Sequence, residues 1–163
     1  MQLNWQSLVD LSGLNVDVWI LVPTGLGVNR LLKKGGNISE AWLSKLEVFL
    51  GMKKKDIIDY FYQKQEVDTL FGKQIEITKE TAAIEKSAVL YKAKLNKLFK
   101  FVSNAFVLKN KSNSVMFHFL MASNNKKAVK IANEIITKYE KIENGSISNR
   151  MDRNDVESYN GMF

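Results

Sequence analysis

The sequence predicts a mixed α/β domain, and three observations carry that expectation. The first is the run VDVWILV at 16–22, in which both side-chain parities are largely apolar: Val16, Val18, Ile20 and Val22 on one, Trp19 and Leu21 on the other. That is the pattern of a strand covered on both faces, as in a parallel sheet. The second is the stretch 79–104, where Ile84, Ala88, Tyr91, Leu95, Leu98 and Val102 step by 4, 3, 4, 3 and 4 along one face of a long amphipathic helix. The third is a pair of apolar runs, 105–108 and 114–122, joined by the turn-rich KNKSN and suited to an antiparallel hairpin. A chain of 163 residues, 45% hydrophobic, is long enough to bury a core without staples.

Around these, Asn4 is placed to cap a short helix over 5–14, with Trp5, Leu8, Val9 and Leu11 as its apolar set and Gly13 near its end. After the first strand, PTGLG turns the chain into a short helix near 28–34, closed by KKGGN. Ser39 followed by Glu40 opens another helix, which carries Trp42, Leu43, Leu46, Phe49 and Leu50 and stops at Gly51. The run KDIIDYFY at 55–62 adds a further helical turn or two, while VDTLFGKQIEI at 67–77 reads as a loop, with or without a short extended piece. Asn124 or Asn125 caps a last helix to about 143, whose buried stripe is Ala128, Ile131, Ala132, Ile135, Tyr139 and Ile142. Periodicity is lost beyond that point, so 1–143 reads as the domain and 144–163 as a flexible tail.

Composition excludes several chemistries. With no cysteine there is no disulfide, thiolate metal site or cysteine nucleophile, and with one histidine no metal site is expected. The N-terminal residues lack the pattern of a secretory signal, and no apolar run is long enough to span a membrane, so the expectation is a cytoplasmic protein without membrane association. The net charge of +7 is concentrated in the middle, with 12 basic against 7 acidic residues in 51–110 and 6 against 3 in 111–143. Such an excess favours polyanionic partners, nucleic acid among them. On the long helix, Lys79, Lys86, Lys97 and Lys100 fall within about a 60° strip at 100° per residue. The strip reads either as a solvated face or as a nucleic-acid contact surface.

The strand–turn–helix at 16–34 raises the question of a phosphate loop. Gly25 and Gly27 stand where a dinucleotide loop has glycines, but Arg30 occupies the position of the third, and there is no G-K-[ST]. Thr24, Gly25, Gly27, Asn29 and Arg30 are therefore candidates for the wall of a ligand cleft, with Arg30 either clamping an anion or paired with a carboxylate. His118, set in VMFHFLMAS among apolar neighbours, reads first as a core histidine with one hydrogen-bond partner, the alternative being a catalytic base. No G-x-S-x-G elbow assembles a triad, and no catalytic residue is assigned.

The segments DVWILVPTGLGVNRLL, ISEAWLSKLEVFLG, DIIDYFY, TLFG and SVMFHFLMASNNKKAVKIANEII together resemble the three-Cys-motif partner proteins, bacterial and phage-associated proteins found beside a radical-SAM-like three-Cys-motif protein. The resemblance spans most of 1–143. It implies the C-terminal part of a methyltransferase-like Rossmann sheet, with about three strands. The strand at 16–22 would be the fifth of that sheet, and 106–108 with 115–121 the closing antiparallel pair. In that family an F-A-G-x-G type loop binds the cofactor, and a later strand ends in D-P-x-G; Met1 matches the residue after that motif. The cofactor half is thus expected to lie outside this sequence. The chain alone is expected to take no cofactor, S-adenosylmethionine belonging to a complete family member only.

Two functions follow as expectations. One is the substrate-side half of a methyltransferase-like protein in a phage or defence setting, with the three-Cys-motif protein as a possible partner. The other is a non-catalytic basic module that binds nucleic acid or protein. In either case a sheet of three strands leaves an apolar edge beside 16–22, open to another chain.

Overall fold

The computed structural model describes residues 4–70, 72–143 and 150–151. The chain is mixed α/β. In order it forms α1 (Trp5–Ser12), β1 (Asp17–Val22), a π-helical turn (Thr24–Val28), α2 (Asn29–Leu31), α3 (Glu40–Leu50), α4 (Lys54–Phe61), β2 (Tyr62–Thr69), β3 (Gly72–Lys79), α5 (Ala83–Leu98), β4 (Phe101–Val102), β5 (Phe106–Asn110), β6 (Val115–Ser123), α6 (Lys126–Glu143) and β7 (Arg150–Met151). The larger sheet has the order β1-β6-β5-β7, with β4 on β6 as well, and β2–β3 form a separate two-stranded sheet.

Local signals in the sequence explain most helix ends. Asn4 Oδ1 accepts from Gln6 N at 2.9 Å and opens α1, and Ser39 caps α3, which stops at Gly51 in the left-handed region at φ 60°. Asn125, and not Asn124, caps α6, its Oδ1 accepting from Lys127 N at 3.0 Å. Asn124 instead accepts from Lys100 N and donates to Ser12 O, stitching the turn before α6 to two other segments.

The strand β1 differs from expectation. It pairs antiparallel with β6, in the register Trp19↔Met121 and Leu21↔Phe119, and no described strand pairs with its other edge. Its burial alternates: Ile20 and Val22 are buried in the core, while Trp19 and Leu21 are 43% and 45% exposed. The continuous apolar run had suggested two covered faces. Among the described residues only one is covered.

The long helix expected over 79–104 is shorter. Lys79 ends β3, α5 runs Ala83–Leu98, and Phe101–Val102 pair with Ser123 and Ala122 of β6. The reason is tertiary. Ser103 N donates to Met121 O at 2.8 Å, and Met121 N donates to Ser103 Oγ at 2.9 Å, so β6 captures a segment whose periodicity would have continued the helix. The 67–77 region is part of an antiparallel hairpin, β2–β3, whose residues from Gln63 to Glu76 are exposed where described. The extended piece is thus longer than the loop reading allowed; only Tyr62 and Ile77 at its base pack against the core, and the rest has no covered face to impose a long apolar alternation.

The stripe expected on α6 is also partly wrong. Val129, Ala132 and Ile136 are buried, Ala128 is half-buried, and Ile131, Ile135 and Tyr139 are exposed. The apolar arc of the helix is wider than the surface it rests on. The side chain of Ile142 and most of the expected tail lie outside what is described, apart from Arg150–Met151, which pairs parallel with Lys109 and Asn110 of β5.

The main core joins β1 and β6 to the helices through Ile20, Val22, Leu120 and Ala122 on the sheet and Leu8, Leu46, Phe49, Tyr91 and Leu95 on α1, α3 and α5. Tyr91 stacks on Phe49 at 5.1 Å and meets Trp5 edge-on at 5.3 Å. Lys94 caps α3 by donating to Leu50 O and Gly51 O, and its ammonium lies 4.4 Å from the centre of the Trp5 ring. The Tyr91 hydroxyl is fully buried and has no hydrogen-bond partner among the described residues, and burial pushes its pKa up. Such an orphaned hydroxyl destabilises the fold. Tyr91→Phe is accordingly expected to raise the urea midpoint, by the equivalent of about 1 kcal/mol; a lowered midpoint would show that the hydroxyl is satisfied in solution.

Candidate functional site

The turn after β1 is built by Pro23 and two glycines. Gly27 N and Val28 N both donate to Pro23 O, at 2.8 and 2.9 Å, and Asn29 N donates to Thr24 O. These three N–H groups close the π-turn on itself, so they do not point at a ligand as they would in a phosphate loop. A Cβ on Gly25 would lie 1.8 Å from Val115 O, so this glycine permits the close approach of the turn to the start of β6.

Thr24 is fully buried, and its hydroxyl shares a 2.8 Å hydrogen bond with Nδ1 of His118, itself buried on β6. The histidine is thus a core residue with a partner, as its apolar neighbours predicted. Burial lowers its pKa below the ordinary value of 6.5, and the Glu85 carboxylate opposes this more weakly. The pair clamps the turn to the sheet.

The remaining turn candidates separate. Asn29 is half-buried and Arg30 is exposed. The Lys79 ammonium donates to Asn29 Oδ1 at 2.9 Å, to Asn29 O at 3.2 Å and to Leu32 O at 3.0 Å. A residue expected at a cleft and one expected on a nucleic-acid face thereby meet in one structural contact, which ties the end of β3 to α2. Desolvation, and then the charge of Lys34, lower the Lys79 pKa. Lys79 is therefore engaged inside the chain.

Lys86 is also engaged, in a 3.0 Å ion pair with Glu80 and 4.8 Å from the centre of the Tyr60 ring. Lys97 and Lys100 are exposed, but only Lys97 lies on α5; Lys100 follows its end. The four lysines do not share one helix: Lys86 and Lys97 lie on α5, while Lys79 ends β3 and Lys100 follows α5.

Another cationic surface lies along α6. A groove of about 880 Å³ is lined by Phe101, Val129, Asn133 and Thr137 together with Lys126, Lys130 and Lys138. Glu134 also lines it, 3.9 Å from Lys130. The four-residue spacing of Lys126, Lys130, Glu134 and Lys138 was visible in the sequence, but only the placement of Phe101 beside them makes a groove. Among the described residues no group of three or more histidine, aspartate or glutamate side chains could hold a metal ion, and no helix is long and apolar enough to cross a membrane.

Comparison of the chain with protein-family models, curated proteins and solved structures finds no match.

Linkage gives the Thr24–His118 pair a measurable consequence. The folded state resists protonating His118, while the unfolded chain takes up the proton near pH 6.5. Its contribution to stability is present above that pH and is lost as pH falls through the lower folded value. Urea midpoints of the wild type should therefore drop below about pH 6.5 more steeply than those of His118→Gln. Parallel profiles would show that His118 titrates alike in both states.

Proposed function

We propose that this chain is the substrate-side part of a methyltransferase-like protein of the three-Cys-motif partner type, working with a cofactor-binding part that lies outside it. The observation that carries the reading is β1. Its outer edge has no described partner, while its outward side chains Trp19 and Leu21 remain exposed. Exposed edges and apolar faces of this kind mark places where another polypeptide element fits. The reading is further supported by the placement of β1, β5 and β6 in one sheet, with β5–β6 as an antiparallel hairpin.

In this reading the turn after β1 borders the substrate cleft of the completed sheet. Thr24 and Gly25 position the turn, Gly27 and Asn29 shape its rim, and Arg30 is the exposed charge placed to meet an anionic substrate group. S-adenosylmethionine would be held by the other part, and the radical-SAM-like three-Cys-motif protein remains the partner the family resemblance suggests. The polypeptide isolated from its natural source should have an intact mass well above 18.6 kDa or co-purify with a second chain. Calorimetry should show S-adenosylmethionine binding to that assembly and none to the 163 residues alone. A lone 18.6 kDa chain that binds S-adenosylmethionine at micromolar concentration overturns the proposal.

A second reading, a non-catalytic nucleic-acid-binding module, draws on one observation: the aromatic ring of Phe101 beside Lys126, Lys130 and Lys138 in the α6 groove. Aromatic faces among cations are what single strands use. Under it, replacing these three lysines by glutamine flattens the log–log salt dependence of single-stranded RNA or DNA binding by about 0.7 units for each phosphate no longer neutralised. An unchanged slope removes this reading and leaves the first untouched.

A further inference from the structure

The exposed apolar residues of α6 and of β1 lie on the same side of the molecule. Val129 and Ala132 rest on Met121 of β6, and the flank carrying Lys126 and Asn133 faces Phe101 of β4, with Asn133 Oδ1 accepting from Asn104 N at 2.7 Å. β4 and β1 pair with the same residues of β6, Ser123 and Ala122, and so lie on its opposite sides. The other flank of α6, with Ala128, Ile131, Ile135 and Tyr139, therefore turns toward β1. At 100° per residue, the exposed residues Ile131, Ile135 and Tyr139 cover an arc of about 80°.

On the sheet below, Trp19 and Leu21 project from the same face as their partners Met121 and Phe119, because residues opposite one another in an antiparallel pair share a face. The Trp19 ring stacks on Phe119 at 4.9 Å. The result is a notch with Trp19 and Leu21 on its floor, Asp17 at one end of that floor with its Oδ1 accepting from Ser123 Oγ, and an apolar wall on α6, open at the strand edge. From Ala128 to Tyr139 the wall is about 17 Å long at 1.5 Å per residue, the length of a three-turn helix.

From this notch we infer that the chain docks an amphipathic helix with acidic flanks, laid beside α6 and across the outer face of β1. The inference rests on the proposed reading of an incomplete sheet and identifies the kind of element that completes it. The geometry fits a helix. Packed helices lie about 8–10 Å apart and strands about 4.8 Å apart, so a neighbour of α6 sits over β1 and the empty strand position beyond it.

Charge selects the occupant. Lys127 and Lys138 are exposed at the two ends of the upper rim, Lys138 standing between this notch and the Phe101 groove that it also lines, and Glu134 between them is turned to Lys130. A second copy of this chain, at net charge +7, fits less well. A copy pairing through β1 would also hold its own β6 three strand spacings away, about 14 Å, beyond helix contact and with both walls still open.

The test uses the 163-residue chain and synthetic fluorescent peptides, read by anisotropy. One is a helical peptide of about 14 residues with leucines at i, i+3, i+4 and i+7 and glutamates on its flanks; the second carries lysines in place of the glutamates. The glutamate peptide is expected to bind, the lysine peptide at least roughly tenfold more weakly, and Ile135→Asp to weaken the glutamate peptide by roughly tenfold. The double variant Lys127→Glu, Lys138→Glu should reverse the preference. These positions are exposed, so the variants should keep the wild-type circular dichroism and urea midpoint.

No binding of either peptide, or binding that ignores both charge and the Ile135 variant, overturns the inference. So does a peptide-independent dimer in sedimentation that Ile135→Asp dissolves, since the occupant would then be a second copy. The outcome is separable from the function itself. A lone chain that binds both S-adenosylmethionine and the acidic helix keeps the notch and sinks the proposed function, whereas a large native assembly whose isolated chain ignores both peptides does the reverse.

Discussion

The structure depends on the strand β6. Nine residues, Val115–Ser123, pair with β1 on one side and with β4 and β5 on the other, and β1, the segment after β4 and the turn after β1 are each fastened to this strand by a specific polar contact. Ser123 Oγ donates to Asp17 Oδ1 at 2.5 Å, Ser103 exchanges two bonds with the Met121 backbone, and His118 holds Thr24. A buried polar group without a partner costs more than its bond contributes, so these contacts fix which segments can lie beside β6. The approach of Gly25 to Val115 O applies the same constraint to the turn.

The distribution of lysines shows why net charge is a poor guide to a surface. Lys79 binds Asn29 and the Leu32 carbonyl near the end of α2, Lys94 caps α3 and Lys86 is paired with Glu80. A lysine near the last carbonyls of a helix satisfies groups that have no partner within the helix. Part of the +7 is thereby engaged within the fold, and what remains accessible lies partly on α6, in a place that the spacing of lysines on α5 did not indicate.

Several elements were legible because their signals are local. Asn4, Ser39 and Gly51 act where their types predict, and the turn KNKSN does join two antiparallel strands. His118 lies in the core with one partner, as its neighbours suggested. The candidate site was legible only in part. Thr24, Gly25 and Gly27 do form one turn, but their types could not reveal that two of them would be buried. The contact between Asn29 and Lys79, 50 residues apart, has no sequence signal at all.

Local signals in the chain placed most of its helices and the strands at 16–22, 106–110 and 115–123, because capping, turn and periodicity effects act within a few residues, but not the β2–β3 hairpin or β4. Only the tertiary structure decided which apolar residues are covered. VDVWILV and the α6 stripe both read as buried, yet Trp19, Leu21, Ile131, Ile135 and Tyr139 are exposed. Apolarity records that a side chain is suited to burial; the element that covers it is set by contacts distant in the sequence. For these five residues no described part of this chain supplies that cover.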